Sequence, residues 1–317
     1  MRMMKKIFLL VCILCGLSCP AKAEEGATVL SRLRDLYWMN DGIAPFAGLT
    51  NLMSLLPSPA ENPAWMKNAI PFTAQKNKPM IALVIDDMGL DLKRSARALR
   101  LPATVTMAYI PYSSKIEEQT VAALAAGHEI IVHVPMEPER KSADPGPDFL
   151  GTQYPPEEIR RRIIKDLAAF DGYVGINNHM GSKFTQDRAG LEIVMQELKK
   201  RGLLFLDSRT IGTSIAEEVA KEYDLPSSHR DVFLDDEETD SFTEAALIHA
   251  ENIARKKGSV IAIGHPRDIT LKALAAWLST LERKGFQLVP LTTVIQYRMD
   301  KVKMEMAAVH KQEASPH

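Results

Sequence analysis

Apolar runs of about five to eight residues recur between Lys78 and Arg298: MIALVI (80–85), ATVTMAYI (103–110), EIIVHV (129–134), YVGIN (173–177), LLFLD (203–207), DVFLD (231–235), SVIAIG (259–264) and FQLVPL (286–291). Short, nearly continuous apolar runs of this kind predict strands covered on both faces. Helical patterns lie between most of them, including LKRSARALR, EEQTVAALAAG, PEEIRRRIIKDLAAF, GLEIVMQELKKRG and ALAAWLSTLERKG. Gly202 and Gly285 fall just past the last two, where a left-handed cap is wanted. Alternation over about eight units predicts a parallel sheet with covering helices, either closed as a barrel or doubly wound.

The polar residues that end these runs carry the chemistry. IALVI runs into Asp86 and Asp87, EIIV into His133, YVGIN into His179, LLFL into Asp207, and SVIAIG into His265. In parallel α/β folds the C-terminal edge of the sheet is one face of the molecule, where active sites are built. A lone histidine at a strand end is usually a hydrogen-bonded loop residue; five strands delivering carboxylates or imidazoles point to a site. Asp87, His133 and His179 make a three-ligand set that leaves one coordination position open for water. Asp86 then suits a general base and His265 a general acid. His128 is an odd number of residues from His133, so it faces the opposite way and belongs to the preceding turn. Glu137 lies four residues after His133, across a turn containing Pro135, and can come round to the same centre.

The flanks read differently. MRMMKK, IFLLVCILCGL and AKA form a basic, apolar and small-residue series ending at Ala23, which predicts a secretory signal peptide and a periplasmic or extracellular protein. All three cysteines, Cys12, Cys15 and Cys19, lie inside it, so any metal in the mature chain is held by oxygen and imidazole. Residues 24–78 read as an N-terminal arm and linker. Val29, Leu33, Leu36 and Tyr37 share a helical face suited to a packing arm or an envelope-protein partner. Pro57, Pro59, Pro63 and Pro71 interrupt the rest of that region and mark it as linker. Residues 299–317 read as a polar tail. The formal net charge of -1 gives no electrostatic reason to expect nucleic acid as a partner. In the loop Glu139–Pro156, Phe149 and Tyr154 are expected to pin the loop down.

VIDDMG, GHEIIVHVPME, INNHMGSKFT, FLDSRT and IAIGHP occur in an order that resembles the divergent polysaccharide deacetylases, a branch of the NodB-homology carbohydrate esterases. The resemblance covers residues 79–298. It implies a distorted, incomplete (β/α) barrel and metal-dependent removal of acetyl groups from a glycan. It places the general base on Asp86, metal ligands on Asp87 and His133, and the general acid on His265. Where typical members carry a second histidine four residues after the first, this chain has Glu137. His179 is then the expected substitute, with zinc the expected metal and Glu137 a fourth ligand or a partner of one. The resemblance also lets Asp207 orient His265 or bind substrate, with Ser208 and Arg209 as polar contacts. The altered motifs leave a competing expectation: a non-catalytic binding protein that keeps the fold.

Overall fold

The structure, a computed structural model, describes residues 62–313. The expected signal segment and amphipathic face, with Pro57 and Pro59, lie outside the described residues. In chain order the elements are α1 (Ala64–Lys67), β1 (Met80–Met88), α2 (Leu92–Ala98), β2 (Thr106–Tyr109), α3 (Ile116–Ala125), β3 (Ile130–Met136), α4 (Pro156–Leu167), β4 (Gly175–Met180), a 3₁₀ turn (Phe184–Gln186) and α5 (Arg188–Arg201). There follow β5 (Leu204–Asp207), α6 (Ala216–Glu222), β6 (Ser227–His229), β7 (Val232–Phe233), α7 (Asp240–Lys257), β8 (Ser259–Gly264), α8 (Asp268–Leu281), β9 (Gln287–Leu288) and α9 (Leu291–Glu313).

All strand pairs are parallel, in the order β6-β5-β4-β3-β2-β1-β8-β7, with β9 against the start of β1. The two ends of that order, β6 and β7, are separated in the chain by Arg230 and Asp231 alone. Three residue steps span at most about 10 Å, so the sheet must curl until its edges nearly meet. Chain continuity, not a ladder, closes it there. The alternation therefore resolves as an incomplete (β/α) barrel with one seam. The serine-rich β6 was invisible to the apolar-run criterion.

Period-2 alternation divides the core. Ile81, Leu83 and Ile85 pack outward among the helices, whereas Met80, Ala82 and Val84 face inward with Ile131, Leu204, Leu206, Ile261 and Ile263. Ile81 through Ile85 are wholly buried, and each buried Ile or Leu contributes about 1.5–3 kcal/mol. That anchorage holds the acidic end of β1 in place.

The N-terminal end of the barrel is sealed by Leu291, Val294 and Ile295 of α9 and by Trp65 of α1. Glu129 ties α9 in, accepting from Thr106 Oγ1 (3.1 Å), Thr292 N (3.2 Å) and Thr292 Oγ1 (2.6 Å). The last part of the proline-rich linker is docked here too: Trp65 N donates to Gly202 O (2.9 Å) and Asn68 Nδ2 to Tyr173 O (2.8 Å). Beyond Arg298 the chain continues as helix to Glu313, since no Gly or Pro intervenes and Met, Ala, Lys and Glu favour helix. Among the described residues no helix is long and apolar enough to cross a membrane.

Candidate metal centre

Asp86 continues the inward face of Ala82 and Val84. The next residue of a regular strand would point outward, but Asp87 adopts a left-handed backbone (φ 55°), and the β1–β2 register shifts between Ile85 and Met88. This irregularity turns both carboxylates into the cleft. A left-handed residue other than glycine costs roughly 1–2 kcal/mol, and such strain gathers at functional sites. Met180, next to His179, and Arg209, next to Ser208, are left-handed as well (φ 52° and 51°).

His133 follows Ile131 inward on β3, and Asn177 and His179 lie two residues apart on one face of β4. Asp87 Oδ1 is 2.9 Å from His179 Nδ1 and 3.3 Å from His133 Nε2, and the two imidazole nitrogens are 3.3 Å apart. In a tetrahedral zinc site with bonds of 2.0–2.1 Å, ligand atoms are about 3.3 Å apart. Asp87 Oδ1 is buried without a hydrogen-bond partner, so an acceptor is held out of water with its valence open. Asp87, His133 and His179 together could hold a metal ion.

Asn177 sets the tautomer of His133. Its Nδ2 donates to Asp86 Oδ1 (2.8 Å) and Ser208 Oγ (3.0 Å), which leaves Oδ1 to accept from His133 Nδ1 (2.8 Å). The proton therefore sits on Nδ1, and the Nε2 lone pair points at Asp87 and His179, as a metal ligand requires. Burial works against charge on Asp87, but the His133 and His179 imidazoles beside it outweigh that and hold its pKa well below the usual carboxylate range. Asp86 behaves oppositely: burial raises its pKa against the attraction of His133 and His265. One acid of the pair is held as an anion while burial favours the protonated form of its neighbour.

His265 stands across the cleft, with Nε2 3.7 Å from Asp87 Oδ2. Its Nδ1 donates to Asp235 Oδ1 (2.9 Å) and its backbone N to Asp235 Oδ2 (2.7 Å), while Thr270 Oγ1 donates to the same Oδ2 (2.6 Å). Burial disfavours the imidazolium, but Asp235 and Asp87 raise the His265 pKa above its ordinary value.

Two expectations require correction. Asp207 does not orient His265; it faces away and accepts from Arg209 N (2.8 Å) and Ser214 Oγ (2.7 Å), closing the loop after β5. Asp235 occupies the orienting place. Glu137 lies outside the ligand group: Oε1 pairs with Lys183 (2.7 Å), and Oε2 accepts from Thr152 N and Oγ1 (2.8 Å each). Oε2 thus tethers the long loop, and Oε1 is taken by the segment that follows β4. Ser208 is in the site through Asn177, with its backbone N donating to Asn178 Oδ1 (2.8 Å). The Arg209 side chain is exposed at the rim. His128 is a buried structural histidine beside Val105 O (2.9 Å) and Leu99 O (3.2 Å). Phe149 packs edge-on to Tyr154, and Arg162 lies over the Tyr154 ring, pinning the loop.

A family model described as divergent polysaccharide deacetylase matches residues 83–295. The chain belongs to that family. An uncharacterized protein of Haemophilus influenzae is 36% identical over 223 residues, covering 70% of this chain and 78% of that one. The uncharacterized protein YibQ of Escherichia coli is 37% identical over 194 residues, covering 61% of this chain and 60% of that one. A crystal structure of an uncharacterized protein from Agrobacterium tumefaciens superposes with a TM-score of 0.71 at 29% identity, covering 73% of this chain and 95% of that one.

Three further residues of the site lie outside the set that the sequence pattern marks. Asp235 ends the run DVFLD, so the strand-end rule that selected the others would have selected it. Asn177 stood in the NNH stretch but has no charge to flag it. Arg230 lies on the seam, donating to Ser208 O (2.6 Å) and Arg209 O (2.7 Å). Burial lowers its pKa against the pull of Asp86, and no local pattern marks a seam residue.

Proposed function

We propose that this protein is an exported, zinc-dependent hydrolase that removes acetyl groups from an envelope or extracellular glycan. One feature carries the reading: a carboxylate and two imidazoles with open valences converge between a second buried carboxylate and a histidine–aspartate pair. Asp87, His133 and His179 would hold the cation. When bound, it supplies Lewis acidity to a carbonyl oxygen and lowers the pKa of water.

The chain's own groups do the proton work. Asp86, held by Asn177, takes the proton of the attacking water at Oδ2, the oxygen its amide partner leaves open. His265, kept protonated by Asp235, gives the proton at Nε2 to the departing amine or alcohol. The burial of Asp86 and most of His265 strengthens both interactions. The basic, apolar and small-residue N-terminal series supports export, and the family supports a glycan.

The test is acetate release by the mature protein from N-acetylated chito-oligosaccharides and peptidoglycan glycan strands, with and without added zinc. Asp86→Asn is expected to lower turnover by about 10²–10⁴-fold while metal content stays at the wild-type level. Full turnover in that variant would remove Asp86 from the base role. No acetate from any acetylated glycan by the zinc-loaded protein would favour a binding protein instead.

A further inference from the structure

The proposed chemistry makes no use of Arg230, a half-buried cation on the seam beside the cleft. Its guanidinium is fixed on two sides. Nε and Nη2, which form one edge of the fork, donate to Ser208 O and Arg209 O. The plane lies over the Phe233 ring, 4.5 Å from its centroid. Nη1, turned away from those carbonyls, has no partner among the described residues, and the side chain makes no ion pair with them. The same Phe233 ring meets the His265 imidazole edge-on at 5.3 Å between centroids. The guanidinium therefore stands one ring away from the proton donor.

Holding the turn after β5 does not require a charge. A neutral donor can satisfy carbonyls, whereas half-burying a guanidinium costs free energy unless an anion answers it. The acids of the cleft are already answered. Asp235 is paired with His265, and Asp86 and Asp87 face the imidazoles and the cation they would serve. Asp86 attracts Arg230, but without an ion pair. Arg230 is the charge left over. Beside it, the Ser208 hydroxyl accepts from Asn177 and has its own proton unspent, although Ser208 is only 4% exposed. A guanidinium held against Ser208 and the hydroxyl of Ser208 itself make a donor pair for a carboxylate or phosphate oxygen.

We propose that Arg230, with Ser208, receives an anionic group on the leaving-group side of the substrate, so that the sugar freed of its acetyl group carries a carboxylate or a phosphate. The proposal rests on the deacetylase reading for the amino sugar, but its binding step needs no turnover. It is tested by calorimetric titration of the zinc-loaded mature protein with deacetylated amino sugars, which have no acetyl group to lose. Three are acidic (muramic acid, glucosaminuronic acid and glucosamine 6-phosphate), and glucosamine is the control without an acid. At least one acidic sugar is expected to bind about tenfold or more tightly than glucosamine, the scale of one hydrogen bond to a charged group. The last two acidic sugars carry their charge at the same carbon, so they separate carboxylate from phosphate. Arg230→Gln should abolish the acidic preference and leave glucosamine binding and zinc content unchanged. Arg230→Lys keeps the charge but not the fork; it should lose most of the preference, and it decides the matter if the glutamine variant does not fold. Equal binding of all four sugars, or binding of none, would overturn the assignment. So would an acidic preference that survives in the folded variants, because the anion would then lie on the metal. An Arg230-dependent preference in a protein that releases no acetate would uphold the anion site and sink only the deacetylase reading.

Discussion

The same tripeptide, Phe-Leu-Asp, ends β5 and carries the chain out of β7, and it is used in opposite ways. In β5, Phe205 packs outward, Leu206 inward, and Asp207 outward into the turn that it closes. At the end of β7 Phe233 faces inward, and just beyond the strand Leu234 faces outward and Asp235 inward beneath His265. Both aspartates are buried and hydrogen-bonded, yet one shapes a loop and the other holds the His265 imidazole. When both faces of a strand are apolar, a local sequence does not show which residue looks inward; one step of register reverses every side chain.

Substitutions at the two aspartates separate their roles. Asp235→Asn is expected to have the largest effect, lowering acetate release by about 10²-fold or more, because His265 loses its anionic partner. Removing that anion lowers the imidazole pKa, so the alkaline limb of the pH–rate profile should move to lower pH. An unmoved limb would break the contrast with Asp207. Next in size, Asn177→Ala should cost roughly 10–100-fold in zinc affinity or activity by freeing the His133 tautomer; competition with a chelator measures it.

Asp207→Ala should leave both pH limbs in place and destabilise the fold by about 1 kcal/mol, because two part-buried hydrogen bonds that close the loop are lost. Denaturant unfolding reads that loss, and a shifted alkaline limb would return Asp207 to the site. Asp166, on α4, supplies the smallest and most general test. It is buried with Oδ2 unpartnered, and burial pushes its pKa up to about 8. The native state therefore retains a proton that the unfolded chain, with a pKa of about 4, has released, so stability should fall as pH rises from about 4 through about 8. Asp166→Asn should flatten that slope in thermal unfolding, and an unchanged slope would discount burial as the cause. Asp87 is the counterexample: it also has an unpartnered oxygen, but two imidazoles keep it ionised.

Much of the fold was legible because its strands are apolar runs separated by amphipathic helices. β6 was the exception: Ser227 and Ser228 are held by pairing with β5, not by apolar character. Most site residues were legible because strand ends in a parallel barrel share one face. Glu137 misled because spacing along a turn does not reveal competitors, and Lys183 and Thr152 reach it first. Asn177 and Arg230 were hidden because their value lies in neutral or distant contacts.

The order of strands and helices and the acids and imidazoles at the strand ends were determined by the sequence alone, through periodicity and the cost of burying charge. Tertiary structure decided which of those groups meet, because strand parity, the left-handed turn at Asp87 and closure across Arg230 and Asp231 depend on neighbours far away in the chain. A side chain's identity is local, but the direction in which it points is a property of the whole sheet.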